Sequence, residues 1–173
     1  MRIAITGAAG HLGRHVIESL LARGVAAQDL VAIVRTASKA EDLTARGITV
    51  AGAPYEDVAA LTEALQGVDR LVLVSGSEVG KRLAQHTSIL DAAKAAGVGF
   101  IAYTSLLNAE TSELSLAPEH CDTEALLAAS GIDHVLLRNG WYWENFASNV
   151  DAARATGHVF GAAGEGRVNG AAR

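Results

Sequence analysis

A chain of 173 residues, half of them apolar and 19% charged, is long enough to bury the core of one domain and too hydrophobic to stay disordered. A net charge of −5 with no basic block argues against a nucleic-acid surface, and the apolar runs are strand-length, far short of a membrane span. The single cysteine, Cys121, excludes an internal disulfide and fits a reducing, cytoplasmic setting, and no Cys/His cluster has the spacing of a metal site.

Residues 1–6 predict a short buried strand that runs straight into Gly7-Ala8-Ala9-Gly10-His11-Leu12-Gly13. Beyond it Leu12, Val16 and Leu20, with Ile17 and Leu21 beside them, recur at helical spacing. A strand, a glycine turn and a helix in that order build a place for a pyrophosphate. Gly7 allows the tight turn, Gly10 has no Cβ to block phosphates, and Gly13 lets the helix pack closely on the strand. The helix N-terminus adds free N–H groups and the positive end of its dipole. The spacing is G-x-x-G-x-x-G rather than the usual G-x-G-x-x-G of dinucleotide-binding turns.

Further strands are predicted at 30–34, 48–51, 71–74, 100–103 and 134–137, as near-continuous apolar runs of the type buried on both faces. Helices are expected at 11–22, 37–46, 57–66, 80–96 and 118–130. Asp57 can cap the third of these, Pro118 suits a first helical turn, and Gly24, Gly97 and Gly131 follow helix ends. Right-handed crossovers then give an α/β fold, a Rossmann-type doubly wound parallel sheet of order 3-2-1-4-5-6.

The exit of the second strand bears on cofactor choice. Folds that bind NAD usually place an acidic residue there to accept hydrogen bonds from the adenosine ribose. This chain has Arg35, followed by Thr36, Ser38 and Lys39. An arginine cannot accept those bonds, but its planar fork suits a 2′-phosphate. NADPH is therefore the expected cofactor, with NADH as the alternative. Residues 1–156 are read as the NAD(P)-binding domain, and 157–173 as the glycine-rich start of a substrate-side segment cut short.

With these residues in place, the chain resembles the NmrA-like branch of the atypical short-chain dehydrogenases, along essentially its whole length. The resemblance is carried by residues 5–13, 31–35, Ser77-Glu78-Val79-Gly80, residues 100–107 and above all Leu137-Arg138-Asn139-Gly140-Trp141-Tyr142-Trp143-Glu144-Asn145. It implies that Thr6, Gly7, Ala8, Ala9, Gly10, His11 and Leu12, with Gly13 behind them, hold the diphosphate, and that Arg35 holds the 2′-phosphate. It further implies that Ser75, Gly76 and Ser77 flank the ribose and nicotinamide, and that Asn139, Gly140, Trp141, Tyr142, Trp143, Glu144 and Asn145 close over the nicotinamide ring. Arg173 matches a family arginine near the cofactor. Departures are Pro54, where the branch often has an acidic residue, and Gly76, where it commonly has serine. Members of the branch also continue beyond the length of this chain.

Ordinary short-chain dehydrogenases use Tyr-x-x-x-Lys, yet Ala59, Leu107 and Phe146 stand four residues after Tyr55, Tyr103 and Tyr142. The resemblance places His120 and Glu124 in the tyrosine and lysine positions, as the candidate catalytic pair. At i, i+4 they share a helix face, so Glu124 is expected to favour the charged imidazolium. The remaining histidines read as surface or structural. Reduction of a simple ketone calls for a positioned acid, whereas the oxyanion of a reduced quinone is stabilised by its ring. The expected function is therefore an NADPH-dependent oxidoreductase passing hydride to quinones or similar delocalised acceptors. Three consecutive aromatics, Trp141 to Trp143, would supply a cavity wall, and a homodimer is compatible with this reading. The alternative, also found in the branch, is a non-catalytic NAD(P)-binding redox sensor.

Overall fold

The computed structural model describes residues 1–159, Gly164 and the pair 170–171. β1 (Ile3–Ile5), β2 (Leu30–Val34), β3 (Thr49–Gly52), β4 (Arg70–Leu73), β5 (Phe100–Leu106) and β6 (Asp133–Asn139) form one sheet of order β3-β2-β1-β4-β5-β6. The pairs from β3 through β5 are parallel, with Ile3 opposite both Leu30 and Arg70. The helices between them are α1 (His11–Ala22), α2 (Glu41–Ala45), α3 (Val58–Ala64), α4 (Arg82–Ala96) and α5 (Ala117–Ser130). This is the predicted doubly wound sheet.

Period-two alternation sends each strand into two cores. Ile3, Ile5, Leu30, Ala32 and Val34 pack with Ile17 of α1 and Leu43 of α2. Ala4, Val31, Ile33, Leu71 and Leu73 pack on the other face with Leu61, Ile89, Leu90 and Leu127 of α3 to α5. The expected punctuation is also in place. The Asp57 side chain accepts from the Ala60 N–H at 2.9 Å, Pro118 lies in the first turn of α5, and Gly97 and Gly131 close α4 and α5.

The chain divides after Arg138 into two compact units, Met1–Arg138 and Asn139–Arg173. The second holds elements that hydrophobic periodicity did not predict: β7 (Trp141–Tyr142), a 3₁₀ turn at Trp143–Phe146, α6 (Ala147–Thr156), and β8 (Gly170–Ala171), which pairs parallel with β7. α6 reads ASNVDAARAT, which has too few large apolar residues to mark a helical face. Among the described residues no helix is long and apolar enough to cross a membrane.

Gly13 shows how tightly α1 sits on the turn before it. A Cβ there would lie 2.4 Å from the Gly7 carbonyl oxygen and 2.7 Å from Ala8 Cα, both backbone atoms that cannot swing aside. Gly13→Ala should therefore destabilise the fold by about 3 kcal/mol, the upper end for overpacking, as read by urea unfolding. A loss within about 0.5 kcal/mol, typical of a surface change, would mean that this approach is not close.

Candidate functional site

The glycine turn presents one side to solvent and anchors the other. Gly7 takes a left-handed conformation (φ +58°), which turns the chain at the end of β1. The Ala8 N–H donates to the Ile33 carbonyl (3.2 Å) and the Gly10 N–H to the Gly7 carbonyl (2.9 Å). Thr6 is wholly buried, its hydroxyl donating to the Val74 carbonyl and accepting from the Val74 N–H. Of the expected diphosphate ligands, Thr6 and Ala8 are thus committed to the sheet. Gly10 and His11 are the exposed positions, with Ala9 and Leu12 half-buried beside them. α1 starts after Gly10 with no side-chain cap and no acidic residue in its first turn, unlike α3, which Asp57 caps. Twelve residues of aligned peptide dipoles with an uncapped N-terminus suit a diphosphate.

Arg14 ties this turn to the segment after β2. Its guanidinium donates to the Ala9 carbonyl (3.4 Å) and the Lys39 carbonyl (3.1 Å) and pairs with Asp42 (2.5 Å). Arg35 stands at the β2 exit with 67% of its side chain exposed, paired with Glu78 at 2.7 Å. Glu78 belongs to the loop after β4 that also carries Ser75, Gly76 and Ser77.

That loop rests on an unusual helix face. α4 buries Arg82, Gln85 and His86, three polar residues at i, i+3, i+4 where a helix packed on a sheet normally buries apolar ones. Their partners account for it. His86 Nε2 accepts from the Gly76 N–H (3.1 Å), and Arg82 Nε donates to the Gly76 carbonyl (2.9 Å). Gln85 Nε2 donates to Glu56 (2.9 Å) and Glu78 (3.3 Å). From α5, Glu119 pairs with Arg82 at 2.6 Å and accepts from the Gly80 N–H at 3.0 Å. The Ser75 N–H donates to Thr104 Oγ1 at 2.9 Å. A Cβ at Gly76 would lie 2.9 Å from Gln85 Oε1, the far end of a flexible side chain.

His120 is buried, and its pKa falls where the sequence predicts a rise. Burial, then the positive charge of Arg82, lowers its pKa to about 4, and the Glu124 carboxylate does not offset them. Glu124 has other partners: Arg138 at 2.6 and 3.1 Å and Ser105 at 2.5 Å. Although its own burial opposes it, these partners hold the Glu124 carboxyl below the usual range. His120 Nδ1 instead meets the Tyr103 hydroxyl at 2.6 Å. Burial pushes the Tyr103 phenol up, so it stays protonated, and which of the two groups donates depends on the His120 tautomer. His86 is buried completely, and burial followed by the Arg82 and His120 charges lowers it to about 3. Burial likewise pushes the Cys121 thiol up, which makes it a poor nucleophile.

The profile of the NAD(P)H-binding family matches residues 7–165. The chain belongs to that family. It is 58% identical to quinone oxidoreductase 2 of Escherichia coli over 171 residues, 99% of this chain and 59% of that protein. A solved structure of an E. coli NADPH-dependent quinone oxidoreductase complexed with NADPH superposes with a TM-score of 0.88 at 60% identity, covering 93% of this chain and 56% of that one. Triphenylmethane reductase of Citrobacter sp., complexed with NADP(H), gives a TM-score of 0.85 at 36% identity over 90% of this chain and 55% of its own. An NmrA-like family domain-containing oxidoreductase of Aspergillus flavus is 33% identical over 153 residues, 84% of this chain and 50% of that protein. The chain thus spans little more than half the length of these relatives.

Within this NAD(P)H-binding chain, the first unit contains the glycine turn, Arg35, the Ser75–Ser77 loop, His120 and Glu124. Asn139 to Asn145 lie in the second unit, where Asn139 Nδ2 donates to the Tyr142 hydroxyl at 3.1 Å and Trp143 stacks at a tilt on Phe146. The aromatic run is extended at Trp141–Tyr142 and enters a 3₁₀ turn at Trp143, with Trp141 and Trp143 exposed. Arg173 lies outside the described residues. The sequence reading missed Arg82, Gln85, His86, Tyr103 and Glu119; the available signal was a polar i, i+3, i+4 set on an otherwise core-facing helix.

Both buried histidines make the fold acid-sensitive. Their folded pKa values, about 4 and about 3, lie below the value near 6.5 expected in the unfolded chain. The unfolded chain therefore binds more protons, and stability fully present above pH ~6.5 is lost as pH falls toward the folded values. Urea unfolding should show up to about 4 kcal/mol less stability at pH 5 than at pH 7.5, and less loss in His86→Gln. A flat profile over this window would contradict buried neutral imidazoles at both positions.

Proposed function

We propose that the chain supplies the cofactor half of an NADPH-dependent oxidoreductase that passes hydride to quinones or similar delocalised acceptors. The observation that carries this reading is the uncapped α1 terminus over a glycine turn, held by Arg14 next to the segment that follows Arg35. The names of its relatives support the same reading, both for NADPH and for quinone acceptors. Triphenylmethane dyes, named with the Citrobacter reductase, are delocalised acceptors too.

Bound NADPH supplies the hydride at its nicotinamide C4. The chain's own residues do the rest. The N–H groups at the start of α1 receive the diphosphate, with Gly10 leaving its approach clear. The Arg35 guanidinium takes the 2′-phosphate in place of the ribose hydroxyls that an acidic residue would bind. Ser75, Gly76 and Ser77 form a wall for the ribose and nicotinamide, and His86, Arg82 and Thr104 keep that wall rigid, so the ring is oriented rather than merely bound. His120 is neutral and is no acid at pH 7. A site lacking an acid suits an acceptor whose reduced oxygen is a ring-stabilised phenolate that takes its proton from water. His120 and Glu124 then tune the reaction without carrying it. The lone, half-buried Cys121 supports a reducing, cytoplasmic setting.

Spectrophotometric titration with NADPH and NADH, followed by addition of a benzoquinone, tests the reading. Arg35→Asp should weaken NADPH about ten- to a hundredfold, the loss of a charge-assisted contact, and spare NADH. Quinone should be consumed one for one with NADPH. Equal loss of both cofactors would remove Arg35 as the 2′-phosphate ligand. Tighter binding of oxidised than reduced dinucleotide, with no quinone consumed, would establish the sensor instead.

A further inference from the structure

We propose that Glu78 is a specificity-determining residue, a built-in competitor that holds the Arg35 guanidinium against the cofactor's 2′-phosphate. This rests on the reading of Arg35 given above. Glu78 Oε1 lies 2.7 Å from Arg35 Nη2, and it is the one ion-pair partner of Arg35 among the described residues.

Isolated pairs between exposed side chains form and break freely, but the carboxylate here is presented by a fixed support. Its loop is pinned on one side at Gly76, whose N–H and carbonyl are both bonded to buried side chains of α4. On the other side it is pinned at Gly80, whose N–H donates to Glu119. Between these points, Glu78 Oε2 accepts from Gln85 Nε2 at 3.3 Å and meets Lys81 Nζ at 3.4 Å. Gln85 is only 3% exposed and is itself held by Glu56. Arg35, followed by Lys81, keeps the Glu78 carboxyl below its usual range, so it is charged at neutral pH. Oε2 is therefore fastened to the loop's support, and Oε1 is left facing Arg35, just past the end of β2.

A 2′-phosphate carries about −1.5 to −2 charge at pH 7. To reach Arg35 it must displace the Glu78 carboxylate or accept that negative charge as a neighbour, and both weaken its binding. A ligand without the 2′-phosphate meets neither cost. Glu78 thus sets how strongly the site prefers the phosphorylated cofactor. Removing its charge should raise the preference, a gain that loss of a purely structural contact would not produce.

The test is calorimetric titration of the wild type, Glu78→Gln, Glu78→Ala and Arg35→Met with adenosine 2′,5′-bisphosphate and with adenosine 5′-monophosphate, which differ only by the 2′-phosphate. Glu78→Gln keeps the size of the side chain, and Glu78→Ala removes any substitute hydrogen bond to Arg35. Both variants should bind the bisphosphate about two- to tenfold more tightly, the range for release of an exposed ion pair plus a nearby like charge, with the monophosphate unchanged within about twofold. Arg35→Met should abolish the difference between the two ligands. If Arg35→Met abolishes it but neither Glu78 variant raises it, the competitor role falls and the reading of Arg35 stands. If Arg35→Met leaves the difference intact, or if the wild type does not distinguish the ligands, Arg35 is not the phosphate anchor and both fall.

Discussion

The approach of Gly13 to the Gly7 carbonyl is the constraint on which the rest of the site depends. It seats α1 directly on the turn that ends β1, so the helix terminus and the β1 exit share one place. Committing Thr6 and Ala8 to neighbouring strands then leaves Gly10 and His11 as the exposed edge. A parallel sheet gathers its strand exits on one side, which brings the β2 exit with Arg35 and the β4 exit with Ser75 to Ser77 alongside that edge. Arg14 fixes the first of these by bridging Ala9, Lys39 and Asp42.

The β4 exit is fixed at greater expense. Arg82 and Glu119 are a nearly buried ion pair, and pairs of that type often contribute no net stability over an apolar substitute. With Gln85 and His86 they replace apolar packing on one face of α4, yet each reaches the backbone or a side chain of a single loop. The arrangement makes sense as rigidity delivered to that loop. Both backbone groups of Gly76 are held in this way, by His86 and Arg82. The same low-dielectric surroundings that strengthen these bonds keep His86 and His120 neutral.

Much of the fold was legible because strands buried on both faces appear as unbroken apolar runs, such as 30–34, and because Asp57 and Pro118 are local signals with local causes. The shape of the glycine turn was legible for the same reason, because Gly7 and Gly13 act through their own backbone. Glu124 does favour the His120 imidazolium, yet burial and Arg82 outweigh it, because i, i+4 adjacency says nothing about a third partner. Arg138, from the next strand, takes the glutamate, while Tyr103 takes the imidazole. The polar face of α4 was opaque because its partners lie in a loop whose path only the tertiary fold determines. The helix α6 was missed because an alanine-rich segment with few large apolar residues carries no periodicity to read.

The central claim is that the uncapped terminus of α1 and Arg35 form one anion site with two stations. A crystal structure of this chain grown with NADPH tests it most directly. Diphosphate oxygens are expected within about 2.7–3.2 Å of the His11 and Leu12 N–H groups, with the 2′-phosphate on the Arg35 guanidinium. Dinucleotide density away from the glycine turn, or a diphosphate there with the 2′-phosphate remote from Arg35, would contradict it.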